Sequence, residues 1–374
     1  MGRAAGGGDA LTMERMPYSG LVTTVSAGGE ITDSAAASTA LATGYKTENG
    51  MLGMMPDRKK VETILERCRQ FGKSAGIVTN EAVTGATPSG FAVHVPDRGL
   101  TPQIAQQLVE SGAQVMMGYG RDGFVPAAEA GAAKGGPDLA AELRKKGYQI
   151  VYTRDELAKS KDLRLVGLFD EQKAPALPEM VRAALARLNR DDKGFFLIVE
   201  QAKVDWKDGD PSGVALDVLE LDKAVQAALD YARHRGRTLV LVAADHETGG
   251  LQIQNQALLA TLKGVKASAG GIAGRLDRDR TSIKEVMKAD AGIDDLTDAE
   301  LNQVKSAKDA EAAIGAVISQ RTGLKWTAGH TATPVRVFAF GPGAEQFTGE
   351  MDNTDIPKRI AAVLGLGPFA GSKQ

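Results

Sequence analysis

The chain has 374 residues, 43% of them hydrophobic and 25% charged, enough for a large core in one α/β domain or in one domain with an inserted lobe. Lys+Arg 45 against Asp+Glu 47 is near balance, which removes any charge-based argument for nucleic-acid-specific binding, and no apolar run is long enough to span a membrane. Cys68 is the only cysteine, which excludes an intrachain disulfide, and the glycine-rich start, residues 1–8, has no apolar signal-peptide core.

In chain order, residues 1–19 read as loop with at most one short helix, and Gly20–Val25 as a strand. The run Ala35–Ala42 holds little but small residues, so it is predicted to be a helix that Gly44 ends. Asp33 and Ser34 then lie at its N-terminus, where unpaired N–H groups and the macrodipole favour an anion. A serine there is a candidate nucleophile; the ordinary alternative is an N-cap. Val61, Ile64, Leu65, Cys68 and Phe71 give an amphipathic helix over 61–71, which makes Cys68 a core residue. Gly72-Lys73-Ser74 is not a phosphate loop, because Arg67 stands where a glycine is required.

A strand at 75–79 is followed by a helix that Thr101 caps and Pro102 opens, and by a short strand at 115–118. Residues 138–146 read as a helix, 149–152 and 165–169 as strands, and 178–188 as a helix. The continuous apolar runs 195–199 and 239–243 read as strands buried on both faces. Between them lies a helix at 214–234, whose last turn accounts for His234 as a helix-end cation. Residues 251–325 are rich in Asp, Glu, Lys and Ala, with helical pieces near 281–290, 297–306 and 309–320; they read as a helical insertion in a single domain spanning 1–374. A strand at 335–340 and a helix at 355–364 close the chain. The alternation predicts an α/β three-layer sandwich, its central sheet mostly parallel and covered by helices on both faces. Ligands in such sheets bind beyond the carboxyl ends of the strands.

Just past those ends stand Glu200 and Asp205, then Asp245 and His246, and, on the loop before the strand at 335–340, His330. Each alone reads as a turn, surface or loop residue. Mixed His and Asp donors suit zinc, and Thr or Glu oxygens suit magnesium.

The segments Thr32-Asp33-Ser34-Ala35-Ala36 and Thr43-Gly44-Tyr45-Lys46 resemble the nucleophile region of the alkaline phosphatase family. Ala86-Thr87-Pro88 with His94-Val95-Pro96-Asp97-Arg98, the stretch Phe195–Glu200 through Asp205-Trp206, Ala244–Gly250, and Gly329-His330-Thr331 match its later segments in order. The resemblance runs from about residue 3 to about 366 and is weakest across the helical insertion. It implies hydrolysis of phosphate monoesters through a phosphoserine on Ser34, with Arg98 gripping two phosphate oxygens. It also implies two Zn2+ ions and one Mg2+ ion. One zinc would be held by Asp205 and His330, the other by Ser34, Asp245 and His246, and the magnesium by Thr87 and Glu200. Two such metals could stabilise both the entering and the leaving oxygen of an in-line displacement. His94 has no ligand role by this resemblance. A periplasmic or secreted location follows from it, small-molecule phosphomonoesters are the implied partners, and a homodimer is left open.

The sequence departs from the family at two places. The family's first strand, which ends in Asp-Gly-Met-Gly or similar and supplies a bridging aspartate, has no counterpart, so the first central strand is expected to be missing. The histidine expected four residues after Asp205 is Gly209, which Asp208 or Asp210 could replace with oxygen. Impaired zinc binding and turnover are therefore expected. The alternatives are a weak or inactive phosphate-binding homologue and a related phosphodiesterase. A sulfatase and a Gly-x-Ser-x-Gly hydrolase are disfavoured by the residues around Ser34.

Overall fold

The computed structural model describes residues 1–130, 137–327, 329–367 and 369. The chain forms two compact units. One comprises residues 16–201, 224–247 and 332–374, the other residues 1–15, 202–223 and 248–331.

The larger unit is built on a five-stranded, wholly parallel sheet in the order Gln149–Val151, Leu165–Phe169, Val115–Tyr119, Ser74–Ala82, Phe195–Glu200. Successive side chains of a strand point to opposite faces, and here both faces are apolar. Ala75, Ile77, Met116, Val166 and Leu168 enter one core with Ile64, Leu65 and Cys68 of the helix Ile64–Gln70 and Ile104 and Leu108 of the helix Thr101–Glu110. Their neighbours Val78, Val115, Met117, Leu165 and Phe169 enter a second core with Leu177, Met180, Val181 and Leu188 of the helix Leu177–Leu188. That is the expected layering, with helices on both faces of a parallel sheet. A second, mixed sheet runs Gly349–Asp352, Tyr18–Thr23, Val335–Phe340, Val240–Ala243.

Two expectations for the strands are corrected. Phe195–Glu200 does pack on both faces, Phe196 and Ile198 on one core and Phe195, Leu197 and Val199 on the other, but is only half-buried throughout; Val240–Ala243 is half-buried and ends in an exposed Ala243. Both are edge strands among the described residues, each paired on one side only. An apolar run reports contact with side chains above and below, and carries no signal for a missing lateral neighbour. The cap of the helix Thr101–Glu110 is also displaced: Leu100 is the N-cap and Thr101 the first helical residue. The helix expected from 61 starts at Ile64, because Thr63 accepts the Glu66 N–H while Glu66 accepts that of Thr63.

The small-residue helix spans Ser34–Thr43, and Ala35, Ala36, Ala37, Ser38, Thr39, Ala40, Ala42 and Thr43 are all buried. Small side chains are needed because the short helix Ala86–Gly90 packs against it. A Cβ at Gly90 would lie 2.2 Å from Ser38 Oγ, and that hydroxyl donates to the Ala86 carbonyl at 3.2 Å. Gly44 ends the helix in the left-handed region at φ 78°, its N–H on the Ala40 carbonyl.

The smaller unit has its own apolar core, to which Leu262, Ile272, Ile283, Met287, Ile314 and Val317 contribute, with Met1, Ala4 and Ala5 packed against it. The insertion expected over 251–325 thus shares a unit with the N-terminal residues and with 202–223. Its helices Ile283–Ala291, Asp298–Ser306 and Ala310–Thr322 lie close to the predicted pieces. The helix Pro211–Arg235 contributes residues to both units.

Gly44→Ala should lower stability by about 1 kcal/mol or more, the cost of a left-handed non-glycine residue. A new Cβ would also meet Thr354 O at 3.2 Å. The expected readout is a lower urea midpoint with an unchanged slope.

Candidate active site

In the larger unit, Asp33 caps the helix Ser34–Thr43 from an extended conformation. One carboxylate oxygen accepts the Ala36 N–H at 2.9 Å; the other accepts the Gly50 N–H and Arg98 Nη1, both at 3.1 Å. The aspartate is therefore the cap, and the Ser34 hydroxyl takes no part in capping. Ser34 Oγ lies 3.0 Å from His246 Nε2.

His246 is 5% exposed and follows the strand Val240–Ala243 through a two-residue turn. Its Nδ1 faces the Glu247 carbonyl at 3.3 Å, its N–H donates to Asp245 Oδ1 at 3.1 Å, and Nε2 is 3.3 Å from Asp245 Oδ2. A carbonyl can only accept, so Nδ1 is placed to donate to Glu247 O. Nε2 thus faces both the Ser34 hydroxyl and the Asp245 carboxylate, at the point where the three side chains converge. The Arg98 side chain is 43% exposed, which leaves guanidinium nitrogens open to an incoming anion.

Glu200 ends the strand Phe195–Glu200, and hydroxyls of Thr79 and Thr87 donate to its carboxylate. Thr87 lies in the helix that packs on the serine helix, so the two residues matched to a magnesium site do meet. Desolvation, then the Glu81 charge, push the Glu200 carboxyl well above the usual carboxylate range against the pull of the two hydroxyls; Asp245 raises it further. Thr79 and Glu81 are absent from the sequence-derived site. Their positions on the strand Ser74–Ala82, beside Phe195–Glu200, follow from sheet order rather than from a local motif.

In the smaller unit, His330 Nε2 is 3.8 Å from Asp205 Oδ1, which also accepts the Thr248 hydroxyl at 2.6 Å. Thr327 and Gly329 are both tied to Gly249: Gly249 N–H donates to Gly329 O at 2.7 Å and Thr327 N–H to Gly249 O at 2.9 Å. This close approach explains the glycine pair. A Cβ at Gly249 would lie 2.5 Å from Asp208 Oδ1, and one at Gly250 would lie 1.8 Å from Thr327 Oγ1. Of the two oxygen substitutes for the histidine expected at Gly209, Asp210 is already engaged. It is 5% exposed and accepts the N–H groups of Gly213 and Ala269, both at 2.9 Å. Asp208 lies against Gly249.

These donor sets fit divalent cations. Glu200, Glu81 and Asp245 place desolvated negative charge together with hydroxyl oxygens, the environment that a hard cation neutralises. Asp245–His246 and Asp205–His330 each pair a carboxylate with an imidazole, which suits zinc.

A family model described as alkaline phosphatase matches residues 3–366. Alkaline phosphatase 4 of Bacillus subtilis (strain 168) is 33% identical over 366 residues, covering 90% of this chain and 77% of that protein. Among solved structures, the cold-active alkaline phosphatase of a psychrophilic Shewanella sp. superposes with a TM-score of 0.86 at 29% identity, covering 95% of this chain and 92% of that one. The Thermus thermophilus alkaline phosphatase gives 0.84 at 30% identity, covering 98% and 87%.

Without metal, Glu200 holds its proton to higher pH in the folded chain than in the unfolded one, so folding loses stability as pH rises above the ordinary value of 4.5. Glu200→Gln removes that loss. The metal-free variant should be more stable than the parent by about 1 kcal/mol, increasingly so toward alkaline pH. It should also gain less on adding magnesium. Urea unfolding at several pH values, with and without the ion, reads both effects.

Proposed function

Since the chain belongs to the alkaline phosphatase family and is thereby a metal-binding phosphatase hydrolase, we propose that it hydrolyses small phosphate monoesters through a phosphoserine on Ser34. The observation that carries this reading is the Ser34 hydroxyl at a helix N-terminus, 3.0 Å from His246 Nε2, beside an Asp33 that holds Arg98.

Arg98 would bind two non-bridging phosphate oxygens through its planar fork and align phosphorus with Ser34 Oγ. The N–H groups at the start of the helix Ser34–Thr43 favour the negative charge of the phosphoryl group there. Ser34 Oγ attacks phosphorus as its proton passes to water, the bond to the alcohol oxygen breaks, and that oxygen takes a proton from water. Water then attacks the phosphoserine, releasing inorganic phosphate and restoring the hydroxyl. Zinc held by Ser34, Asp245 and His246, zinc held by Asp205 and His330, and magnesium held by Thr87 and Glu200 would supply Lewis acidity and lower the pKa of the serine hydroxyl and of water. A periplasmic or secreted location is part of the same reading; no helix among the described residues is long and apolar enough to cross a membrane.

Gly209 supports a second element of the proposal, that turnover is impaired. Position 209 offers no side chain and Asp210 is tied to two backbone amides, so Asp205 and His330 gain no third ligand from either. Zinc at that pair should be bound weakly. Two tightly bound zinc ions per chain, measured by metal analysis after dialysis, would contradict this.

With zinc and magnesium added, the chain should hydrolyse p-nitrophenyl phosphate. Ser34→Ala should lower kcat/KM by about 10³-fold or more, the scale of losing a nucleophile. Arg98→Ala should raise KM and the inhibition constant of inorganic phosphate by about 10- to 100-fold, as expected for a lost bidentate charge-assisted contact. Activity that persists undiminished in Ser34→Ala would overturn the phosphoserine route.

A further inference from the structure

We infer that His94 is a positioning residue for Arg98, acting through a short two-stranded ladder between residues 50–53 and 93–98; this rests on the reading of Arg98 as the phosphate-gripping group. The ladder is visible bond by bond. Leu52 and Val95 exchange both N–H···O=C bonds at 3.0 Å, and Arg98 N–H donates to Gly50 O at 2.7 Å. His94 closes the other end, its Nδ1 2.7 Å from Gly53 O.

Gly50 in turn donates its N–H to Asp33 Oδ2, the oxygen that Arg98 binds. The ladder therefore sets both the backbone of Arg98 and the segment that meets its guanidinium anchor. His94 is itself fixed on three sides. Nε2 is 2.9 Å from Glu66 Oε1, while the main-chain N–H and C=O of His94 bond Gln107 Oε1 and Nε2 at 2.8 and 3.1 Å. Gly53 can approach this closely only without a side chain: a Cβ there would lie 2.2 Å from Val93 O and 2.7 Å from His94 Nδ1.

Both ring nitrogens of His94 face acceptors, a carbonyl and a carboxylate, so the ring donates twice as an imidazolium. Burial alone would lower its proton affinity, but the Glu66 carboxylate and the Gly53 carbonyl together raise it. His94→Gln keeps one amide donor group and cannot span both acceptors.

The experiment compares parent, His94→Gln, Arg98→Ala and the double variant, loaded with zinc and magnesium, well below their melting temperatures. In His94→Gln the KM for p-nitrophenyl phosphate and the inhibition constant of inorganic phosphate should rise about tenfold, with a smaller change in kcat. In the Arg98→Ala background the same substitution should change neither constant further. Amide exchange at Arg98 and Val95 should accelerate in His94→Gln, a readout independent of activity. A lower melting temperature with unchanged phosphate constants and unchanged exchange would reduce His94 to a structural residue and overturn the inference alone. A parent chain that neither turns over substrate nor binds phosphate would overturn the phosphatase reading and this inference with it.

Discussion

The carboxylate of Asp33 is the contact on which the rest of the catalytic arrangement in the larger unit depends. One oxygen caps the helix Ser34–Thr43, which makes Ser34 its first residue and fixes where the hydroxyl emerges. The other joins Gly50 and Arg98. The proposed nucleophile and the proposed phosphate-binding cation thus share one anchor, the residue that precedes Ser34 in the chain. The geometry also has an electrostatic side. Asp33 neutralises part of the guanidinium, yet a group with five N–H donors keeps enough of them free to hold an anion bidentately.

The helix behind that anchor is made of small residues for a reason that becomes visible only in three dimensions. Alanine-rich sequence is ordinarily taken as evidence of helix propensity. Here the deciding constraint is distance: Gly90 sits on Ser38 so closely that no Cβ fits, and the helix Ala86–Gly90 carries Thr87 to the Glu200 carboxylate. Larger side chains on either helix would separate Ser34 from Thr87. Close packing, together with the Ser38 hydroxyl bond to the Ala86 carbonyl, holds the helix of Thr87 against the serine helix.

What could be read from the sequence, and what could not, divides along the same line. Ser34, Arg98, Glu200, Asp205, Asp245, His246 and His330 could be singled out because each lies in a contiguous segment that resembles one of the family's segments. Thr79, Glu81 and Thr248 were not, since their relevance comes from the strand or loop that happens to lie alongside. The strands Phe195–Glu200 and Val240–Ala243 were recognised as strands but misjudged as fully buried, because lateral neighbours leave no mark on an apolar run. The Thr63–Glu66 capping box could have been found from its Thr-x-x-Glu spacing, and would have moved the start of that helix to Ile64. Residues 1–15 gave no sign that Met1, Ala4 and Ala5 pack on the core of the smaller unit, for this glycine-rich stretch carries no periodic apolar pattern.

The loop after Asp205 gives its carboxylates different surroundings, Asp205 half-buried, Asp208 exposed and Asp210 buried. With glycine at 209, φ +82°, the chain turns where a bulky residue would be strained. Asp210 is drawn inward to bind the amides of Gly213 and Ala269, so it joins the framework of the smaller unit. Asp205 meanwhile stays oriented by Thr248, and His330 stays beside it because the backbone bonds between 249 and 329 fix that approach without any help from position 209. The orientation of these two donors is therefore decoupled from the number of donors. The approach of the two side chains follows the bonds that hold each in place, and not the number of side chains that converge.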